Sequence, residues 1–274
     1  MVVAMKNMKW ISLIIIGWWL ELGGCMATIT SSSSSSSSKP IVWSIAGSDS
    51  GGGAGIQADL HAIHSMGGHG CTVLTCLTAQ NSQGVSMVEP VSKEMIESQL
   101  KVLWEDLPPR AIKIGALLTT PVVQTVGQTL QQLLLSLQDS TADEEEEKKK
   151  PWIVLDPVMI STSGHSLLQE DAIRAMKELL FPIVDIVTPN RFEAEALLGR
   201  KLMTPASVEQ AAKDILQQFN VKSVLIKGGH SDMDRMYAQD YFLSSTTDHD
   251  GPSSNDNDYR LCDATRGVWL RTKR

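Results

Sequence analysis

A glycine-rich loop between an apolar run and a helical pattern constrains the fold of this chain more than any other stretch. The run Ile41–Ala46 has the length and the β-branched residues of a buried strand, and five of the nine residues from Gly47 to Gly55 are glycine. From Ala54 onward, apolar residues recur at the spacing of one helical face. A strand, a glycine loop and a helix in this order set backbone N–H groups and a helix N-terminus against a bound polar or anionic group.

Two general phosphate-binding motifs fail to fit this loop. A Walker-type loop needs Lys and Ser or Thr after its last glycine, whereas Gly55 is followed by Ile56 and Gln57. A dinucleotide fingerprint fits the glycines loosely, but no Asp or Glu occurs between Asp59 and Glu89, where the ribose-binding acid is expected. By spacing alone, a tight turn that lets strand and helix pack closely explains the loop equally well.

The segment Ala46–Asp59, AGSDSGGGAGIQAD, resembles the opening motif of the hydroxymethylpyrimidine and phosphomethylpyrimidine kinases of thiamine biosynthesis, which belong to the ribokinase-like superfamily. The likeness continues in the same order through Thr78-Ala-Gln-Asn81, Lys113-Ile-Gly115, Asp156-Pro-Val-Met159, Ser163-Gly164, Thr188-Pro-Asn190 with Glu193, and Lys227-Gly-Gly-His230. The resemblance implies a three-layer ribokinase-like α/β fold with a mostly parallel central sheet. It also implies ATP-dependent phosphorylation of 4-amino-5-hydroxymethyl-2-methylpyrimidine and of its monophosphate. A pyridoxal-type kinase of the same superfamily is the alternative, and Gln80 together with the Ala46–Asp59 match favours the pyrimidine.

Length and charge agree with a single small-molecule enzyme domain. The 274 residues, 42% of them hydrophobic, are enough to bury one α/β core. A net charge of −7 argues against a nucleic-acid partner, whose binding surface would be basic. The four cysteines show no paired metal-binding spacing, and Cys71 and Cys76 are predicted to be buried thiols in a reducing compartment.

Residues 1–39 are predicted to be a leader and a serine-rich tract, and residues 40–274 to be the kinase domain. The apolar run Trp10–Leu20 follows two lysines in the manner of a secretory leader and is short for a stable membrane span. If Met26 is the true start, the protein is expected in the cytosol. Otherwise the leader directs it to a plastid or the secretory route, and the sequence leaves this choice open.

Strand-like runs and helical patterns alternate after the loop, which predicts a parallel sheet covered on both faces. Further strands are predicted at Cys71–Leu77, Ala111–Leu117, Trp152–Leu155, Ile183–Val187 and Ser223–Ile226. Helices are predicted at Lys93–Trp104, Thr120–Leu137, Glu170–Leu180, Arg191–Leu198 and Pro205–Phe219. Solvated loops are predicted at Asp139–Lys150 and between two strands of a hairpin at Ser244–Asp258, and a strand over residues 267–274.

The pyrimidine is predicted to contact four residues, of which Gln80 has the clearest chemistry. Its amide offers a donor and an acceptor to an aminopyrimidine edge, although a turn-forming polar pair would explain its spacing alone. The resemblance makes Gln80 a substrate contact together with Gly47, Asp59 and Val158. Asp59 could instead be a surface helix residue.

Nucleotide and metal residues are also implied by the resemblance. Asp156 ends an apolar run, where a carboxylate needs a cation or another partner, and Glu193 stands three residues after Asn190. That spacing is also a helix capping arrangement, but the resemblance favours Asp156 and Glu193 at Mg²⁺. ATP is predicted to contact Asn190, Lys227 and Gly229.

One family motif is absent before Arg274, namely the Gly-Thr-Gly-Cys segment that supplies the anion hole and the base for phosphoryl transfer. The catalytic residues are therefore unassigned and expected beyond Arg274, and the chain as written is expected to bind the pyrimidine but to turn over very slowly. Two interpretations stay open: a pyrimidine kinase whose sequence is truncated, and a catalytically impaired pyrimidine-binding protein. The resemblance leaves a homodimer open.

Overall fold

The computed structural model describes residues 38–137, 150–159, 170–228, 237–245 and 267–273. The chain forms two compact units, Met1–Ile183 and Val184–Arg274, and each is described by itself. The single domain predicted over residues 40–274 stays a prediction. The predictions for the serine-rich tract, for residues 139–149 and for residues 246–258 lie outside the described residues. Within the described residues, no helix is long and apolar enough to cross a bilayer.

The first unit contains a largely parallel sheet, and its helices connect the strands along the chain. Its elements are β1 (Ile41–Asp49), α1 (Gly55–Ser65), β2 (His69–Gln80), β3 (Val85–Pro90), α2 (Lys93–Asp106), β4 (Ala111–Ile114), α3 (Thr120–Leu135), β5 (Trp152–Leu155), α4 (Glu170–Leu179) and a 3₁₀ turn, Phe181–Ile183. The strand order is β3-β2-β1-β4-β5, with β2, β1, β4 and β5 parallel and β3 antiparallel to β2. The predicted α/β class with a mostly parallel sheet is confirmed.

Helices cover both faces of this sheet, as two neighbouring residues of β1 show. Trp43 is fully buried, donates from Nε1 to the carbonyl oxygen of Leu107 at 2.9 Å and meets Trp104 of α2 edge-on. Ser44 donates from Oγ to Asp59 of α1. Because successive strand side chains point to opposite faces, α1 and α2 lie on opposite sides of the sheet. The first unit therefore has the predicted three layers.

The second unit combines one parallel strand pair with an antiparallel extension. Its elements are β6 (Ile186–Val187), α5 (Arg191–Leu198), α6 (Pro205–Phe219), β7 (Ser223–Ile226), β8 (Tyr237–Ser244) and β9 (Val268–Lys273). β6 and β7 are parallel, β8 is antiparallel to β7, and β9 is antiparallel to β8. The hairpin strands predicted on either side of residues 244–258 are confirmed.

Polar caps explain why the helix starts are predicted well. The side chains of Ser92, Thr119, Asn190 and Thr204 accept hydrogen bonds from the first turns of α2, α3, α5 and α6. Such a cap satisfies one of the N–H groups that the helix leaves without a partner. All four helices begin at the predicted residue.

Two of the parallel strands are shorter than predicted, and one edge strand, β3, was not predicted. β4 ends at Ile114, and the chain beyond it turns through Leu118, a residue with a positive φ of 60°. The strand predicted from Ile183 is only Ile186–Val187, because Pro182 lies in a 3₁₀ turn before it. All six residues of β3 are exposed, so its sequence lacks the alternation on which strand prediction depends.

Candidate active site

Three predicted site residues of the first unit lie at the carboxyl ends of its strands. Gly47 is near the end of β1, and Gln80 is the last residue of β2. Asp156 follows β5 directly, and its backbone N–H donates to the carbonyl oxygen of Ile114 at 2.8 Å. Ligands of parallel α/β sheets bind beyond this edge. The three residues therefore share the edge at which a ligand is expected.

The glycine loop closes tightly onto the end of β1. Gly55, the first residue of α1, has a φ of +56°, and a Cβ there would overlap the carbonyl oxygen of Gly47. A Cβ on Gly47 would in turn lie 2.5 Å from the Sγ atom of Cys76 on β2. Gly55 therefore requires glycine both for its backbone conformation and for its contact with the Gly47 backbone, whereas a side chain at Gly47 would have to displace the buried Cys76 thiol.

Hydrogen bonds from motif side chains fix the path of the loop. The backbone N–H of Asp49 donates to Gln57 Oε1 at 2.9 Å, and Gln57 Nε2 donates to Ser48 Oγ at 2.8 Å. The backbone N–H of Gly51 donates to Asp49 Oδ1 at 2.8 Å. The exposed residues 50–53 are thus held by contacts within the motif itself.

Cys71 and Cys76 are free, buried thiols, as predicted. Burial raises the pKa of both, and the charge of Asp106 raises the pKa of Cys71 further. A raised pKa lowers the thiolate fraction at neutral pH. Cys76 therefore contributes to the loop by packing beside Gly47.

Asp59 lies in a buried polar network rather than on the helix surface. Its side chain belongs to α1 and is only 3% exposed. One carboxylate oxygen, Oδ2, accepts from Ser44 Oγ at 2.6 Å and from Lys113 Nζ at 2.7 Å. Lys113 is itself 8% exposed, so the Asp59–Lys113 ion pair is nearly closed to water. The surface interpretation of Asp59 is wrong, because the carboxylate has two buried partners.

Gln80 lies beside an open hollow and is attached to the glycine loop. Ser50 Oγ donates to the carbonyl oxygen of Gln80 at 2.7 Å and accepts from its backbone N–H at 2.8 Å. Thr78 Oγ1, which donates to the carbonyl oxygen of Ser48 at 2.8 Å, lies 3.4 Å from the side-chain oxygen of Gln80. The hollow has a volume of about 520 Å³ and is lined by Ser50, Ala79, Gln80, Asn81, Gln83, Gly84, Val85 and Ser86.

The four predicted pyrimidine contacts all belong to the first unit. Val158 is half-buried, and its backbone N–H donates to the carbonyl oxygen of Asp156 at 2.8 Å. Gly47, Asp59 and Val158 do not line the hollow beside Gln80. Their contact with one common ligand therefore stays a prediction.

The second unit brings Asn190 and Lys227 together. The two residues form a parallel bridge, and the backbone N–H of Lys227 donates to the carbonyl oxygen of Pro189 at 2.8 Å. The Lys227 side chain is only 7% exposed. Gly229, the third predicted nucleotide contact, lies outside the described residues.

Asn190 and Glu193 form a capping box at the start of α5. Glu193 donates its backbone N–H to Asn190 Oδ1 at 2.9 Å, and Glu193 Oε2 accepts from the backbone N–H of Asn190 at 2.7 Å. Glu193 is 2% exposed. The capping role weighed from the sequence is therefore present, and any metal contact must come in addition to it.

Asp240, which was not predicted, is a buried carboxylate next to Lys227. It lies on β8 and accepts the backbone N–H of Gly228 on Oδ1 at 2.8 Å, while its buried Oδ2 atom has no hydrogen-bond partner among the residues that the structure describes. Burial raises the pKa of Asp240, and the Gly228 hydrogen bond and the Lys227 charge oppose that rise. A Cβ on Gly228 would overlap the carbonyl oxygen of Gln239, so this glycine permits the contact.

No group of three or more His, Cys, Asp or Glu side chains in the part of the chain that the structure describes is placed to hold a metal ion. This does not conflict with Mg²⁺, which is often held by one or two carboxylates with phosphate oxygens and water. Asp156 is half-buried in the first unit, and Glu193 belongs to the second. Their meeting at one ion stays a prediction.

Lys113 and Ser44 are buried partners of Asp59 that were not predicted, and the sequence carries a signal only for Lys113. Lysine is almost never fully buried without a partner, yet Lys113 stands within the apolar run Ala111–Leu117. That position indicates a buried acidic partner, although only the fold identifies it as Asp59. Ser44 gives no such signal, because a serine within a strand is unremarkable in composition.

Sequence comparison connects the chain with one group of kinases. It matches the phosphomethylpyrimidine kinase family over residues 49–256. It is 42% identical over 192 residues to a hydroxymethylpyrimidine/phosphomethylpyrimidine kinase of Haemophilus influenzae. The aligned region covers 69% of this chain and 65% of the relative. The chain thus spans about two thirds of the length of the curated relatives it matches.

Solved structures give the same connection. A phosphomethylpyrimidine kinase of Clostridium difficile aligns with a TM-score of 0.65 at 38% identity, over 75% of this chain and 81% of that one. A Staphylococcus aureus pyridoxal kinase in complex with AMP-PCP and pyridoxal aligns with a TM-score of 0.61 at 30% identity, over 76% and 69%. Of these two structures, the phosphomethylpyrimidine kinase has the higher identity and the higher TM-score.

Proposed function

Because the chain belongs to the phosphomethylpyrimidine kinase family, we propose that it phosphorylates 4-amino-5-hydroxymethyl-2-methylpyrimidine and its monophosphate with ATP in thiamine biosynthesis. In the first reaction the hydroxymethyl oxygen bonds to the γ-phosphorus, the bond to ADP breaks and the hydroxyl proton is released. In the second, an oxygen of the monophosphate takes the place of the hydroxyl. Such transfers depend on positioning the reactants and neutralising the phosphates.

The observation that carries this proposal is the attachment of Gln80 to the glycine loop through Ser50. Two hydrogen bonds, of 2.7 and 2.8 Å, hold the Gln80 backbone to Ser50, so the amide is presented from a fixed point beside the loop. An amide with a donor and an acceptor matches the aminopyrimidine edge. Gly47, Asp59 and Val158 are the other proposed pyrimidine contacts.

Asn190, Lys227 and Gly229 are the proposed nucleotide contacts. Lys227 supplies one positive charge, and its parallel bridge to Asn190 holds the two residues side by side. A lysine ammonium interacts with phosphate as a point charge. The Staphylococcus aureus relative with AMP-PCP bound shows that a structurally similar protein accepts an ATP analogue.

Mg²⁺ is the proposed metal, and Asp156 is the more exposed of its two proposed carboxylate ligands. Asp156 is half-buried at a strand end, whereas Glu193 is buried and accepts a capping hydrogen bond on Oε2. Both side chains are carboxylates, the ligand type that Mg²⁺ takes together with phosphate oxygens and water. When bound, the ion would neutralise charge on the phosphate oxygens.

Replacing Gln80 by leucine should weaken pyrimidine binding while leaving nucleotide binding nearly unchanged. A hydrogen-bond pair contributes about 1 kcal/mol, and a buried partner left unpaired costs about 1 to 3 kcal/mol. The dissociation constant of the pyrimidine should therefore rise about five- to a hundredfold, which calorimetry measures directly. Gln128→Leu, on the exposed side of α3, is the matched control. Equal pyrimidine affinity for Gln80→Leu and the wild type would remove Gln80 from the site.

A further inference from the structure

The buried network of Ser44, Asp59 and Lys113 lies directly behind the glycine loop. Ser44 on β1 and Lys113 on β4 are paired across the two parallel strands, and both donate to the same Asp59 oxygen. Two strands and one helix are therefore joined at a single atom. The link is short at both contacts, 2.6 and 2.7 Å, and all three residues are buried.

The Lys113 side chain runs beneath the chain that leads into the loop. A Cβ on Gly115 would lie 2.9 Å from Lys113 Nζ and 3.2 Å from the Cβ of Ala46. The backbone N–H of Gly115 donates to the carbonyl oxygen of Ile45 at 2.8 Å. Gly115 thus leaves room for the ammonium next to Ala46, which immediately precedes Gly47. This accounts physically for a glycine two residues after the lysine.

Asp59 transmits the constraint to the other side of the loop. It is the fifth residue of α1, and the first residue, Gly55, lies against the carbonyl oxygen of Gly47. Four residues are about one helical turn, so fixing Asp59 fixes the start of the helix. The network therefore constrains the distance between Gly47 and Gly55, because Lys113 lies beside the end of β1 and Asp59 fixes the start of α1.

We propose that Lys113 and Ser44 are positioning residues that act through Asp59 to hold the glycine loop in the conformation that binds the pyrimidine. This inference rests on the proposed function and refines it, because Asp59 then contributes through position rather than through direct contact with substrate. Its near-complete burial and its two short hydrogen bonds favour that role.

Charge determines which variants separate positioning from simple stability. Removing one partner of a buried ion pair leaves the other charge uncompensated, which destabilises the fold strongly. Removing both charges with side chains of similar size is often neutral for stability. The double variant Asp59→Asn/Lys113→Met should thus unfold near the wild-type denaturant concentration, yet it loses the charged link between strand and helix.

The test measures the unfolding midpoint and the dissociation constants of the pyrimidine and of AMP-PCP for the full 274-residue chain. For the double variant we expect pyrimidine binding at least about tenfold weaker and AMP-PCP binding within about twofold of the wild type, where a factor of ten corresponds to about 1.4 kcal/mol. Ser44→Ala removes one neutral donor and should weaken pyrimidine binding about two- to tenfold. Lys101→Met, which breaks an exposed pair with Glu97, is the control.

Unchanged pyrimidine affinity in both variants, or equal weakening of both ligands together with a lowered unfolding midpoint, would overturn the positioning role. If the double variant does not fold, Ser44→Ala decides by the same two readouts. A wild-type chain that binds no pyrimidine would instead refute the proposed function, so the two failures are distinguishable.

Discussion

Replacing Gly55 by alanine should destabilise the protein and abolish pyrimidine binding, whereas the same change at Gly52 should have a smaller effect. Both residues have a positive φ, +56° and +71°, which costs an alanine about 1 to 2 kcal/mol. Only at Gly55 would the new Cβ overlap another atom, the carbonyl oxygen of Gly47. Forcing atoms into packed space adds about 1 to 3 kcal/mol.

The pair of variants separates backbone strain from steric overlap. At Gly52, no heavy atom of the described residues other than its chain neighbours lies within 4 Å of the added Cβ, so Gly52→Ala measures the backbone strain without steric overlap. Urea denaturation should show a lower midpoint for Gly55→Ala than for Gly52→Ala, and calorimetry should detect pyrimidine binding only in Gly52→Ala. Equal midpoints and equal affinities in the two variants would show that Gly47 and Gly55 are not in contact as described.

Replacing Lys227 by methionine should weaken nucleotide binding about tenfold to a hundredfold. A hydrogen bond to a charged group contributes about 1.5 to 3 kcal/mol, and methionine keeps the apolar part of the side chain while removing the charge. The Asp240 carboxylate would also lose the positive charge that lowers its pKa. The dissociation constant of AMP-PCP, measured by calorimetry, reports the loss.

Lys213→Met is the matched control for this prediction, because Lys213 lies on α6 and is exposed. The control should bind AMP-PCP as the wild type does. The pyrimidine affinity of Lys227→Met should stay within about twofold of the wild type, a difference below about 0.5 kcal/mol. If AMP-PCP binds Lys227→Met and the control equally, the nucleotide lies elsewhere.

The sequence predicts the elements around the site well because each has strong local signals. β5, β7, α5 and α6 have the predicted bounds, since apolar runs and polar caps such as Asn190 and Thr204 mark their ends. β3 was missed because none of its residues is buried. Element type thus follows from local pattern, whereas an exposed edge strand is defined by its partner β2.

The connections between site residues could not be predicted, because they depend on which strands are neighbours. Lys113 meets Asp59 only because β4 lies beside β1, which places Lys113 opposite Ser44. Asp240 meets Gly228 only because β8 returns antiparallel to β7. No sequence motif relates Asp59 to Lys113 or Asp240 to Gly228 by a fixed spacing. Strand pairing between distant parts of the chain cannot be inferred from the local pattern of either strand.

Glu193 shows how one spacing supports two roles. Asn190 and Glu193 were predicted to contact nucleotide and metal, and the structure uses the same pair as a capping box. The cap orders the first turn of α5, next to the bridge between Asn190 and Lys227. Capping and ligand binding are compatible, since an ionised carboxylate has two oxygens that accept hydrogen bonds or ligate a metal.

The central claim concerns phosphoryl transfer, and phosphorus NMR of the protein with ATP, Mg²⁺ and 4-amino-5-hydroxymethyl-2-methylpyrimidine tests it most directly. We predict a new phosphate-ester resonance that grows very slowly, in step with ADP, and requires the pyrimidine. Pyridoxal in place of the pyrimidine should give a smaller ester signal under the same conditions. Binding of ATP and pyrimidine without any ester would contradict the claim and identify a pyrimidine-binding protein instead, and a larger signal with pyridoxal would identify a pyridoxal kinase.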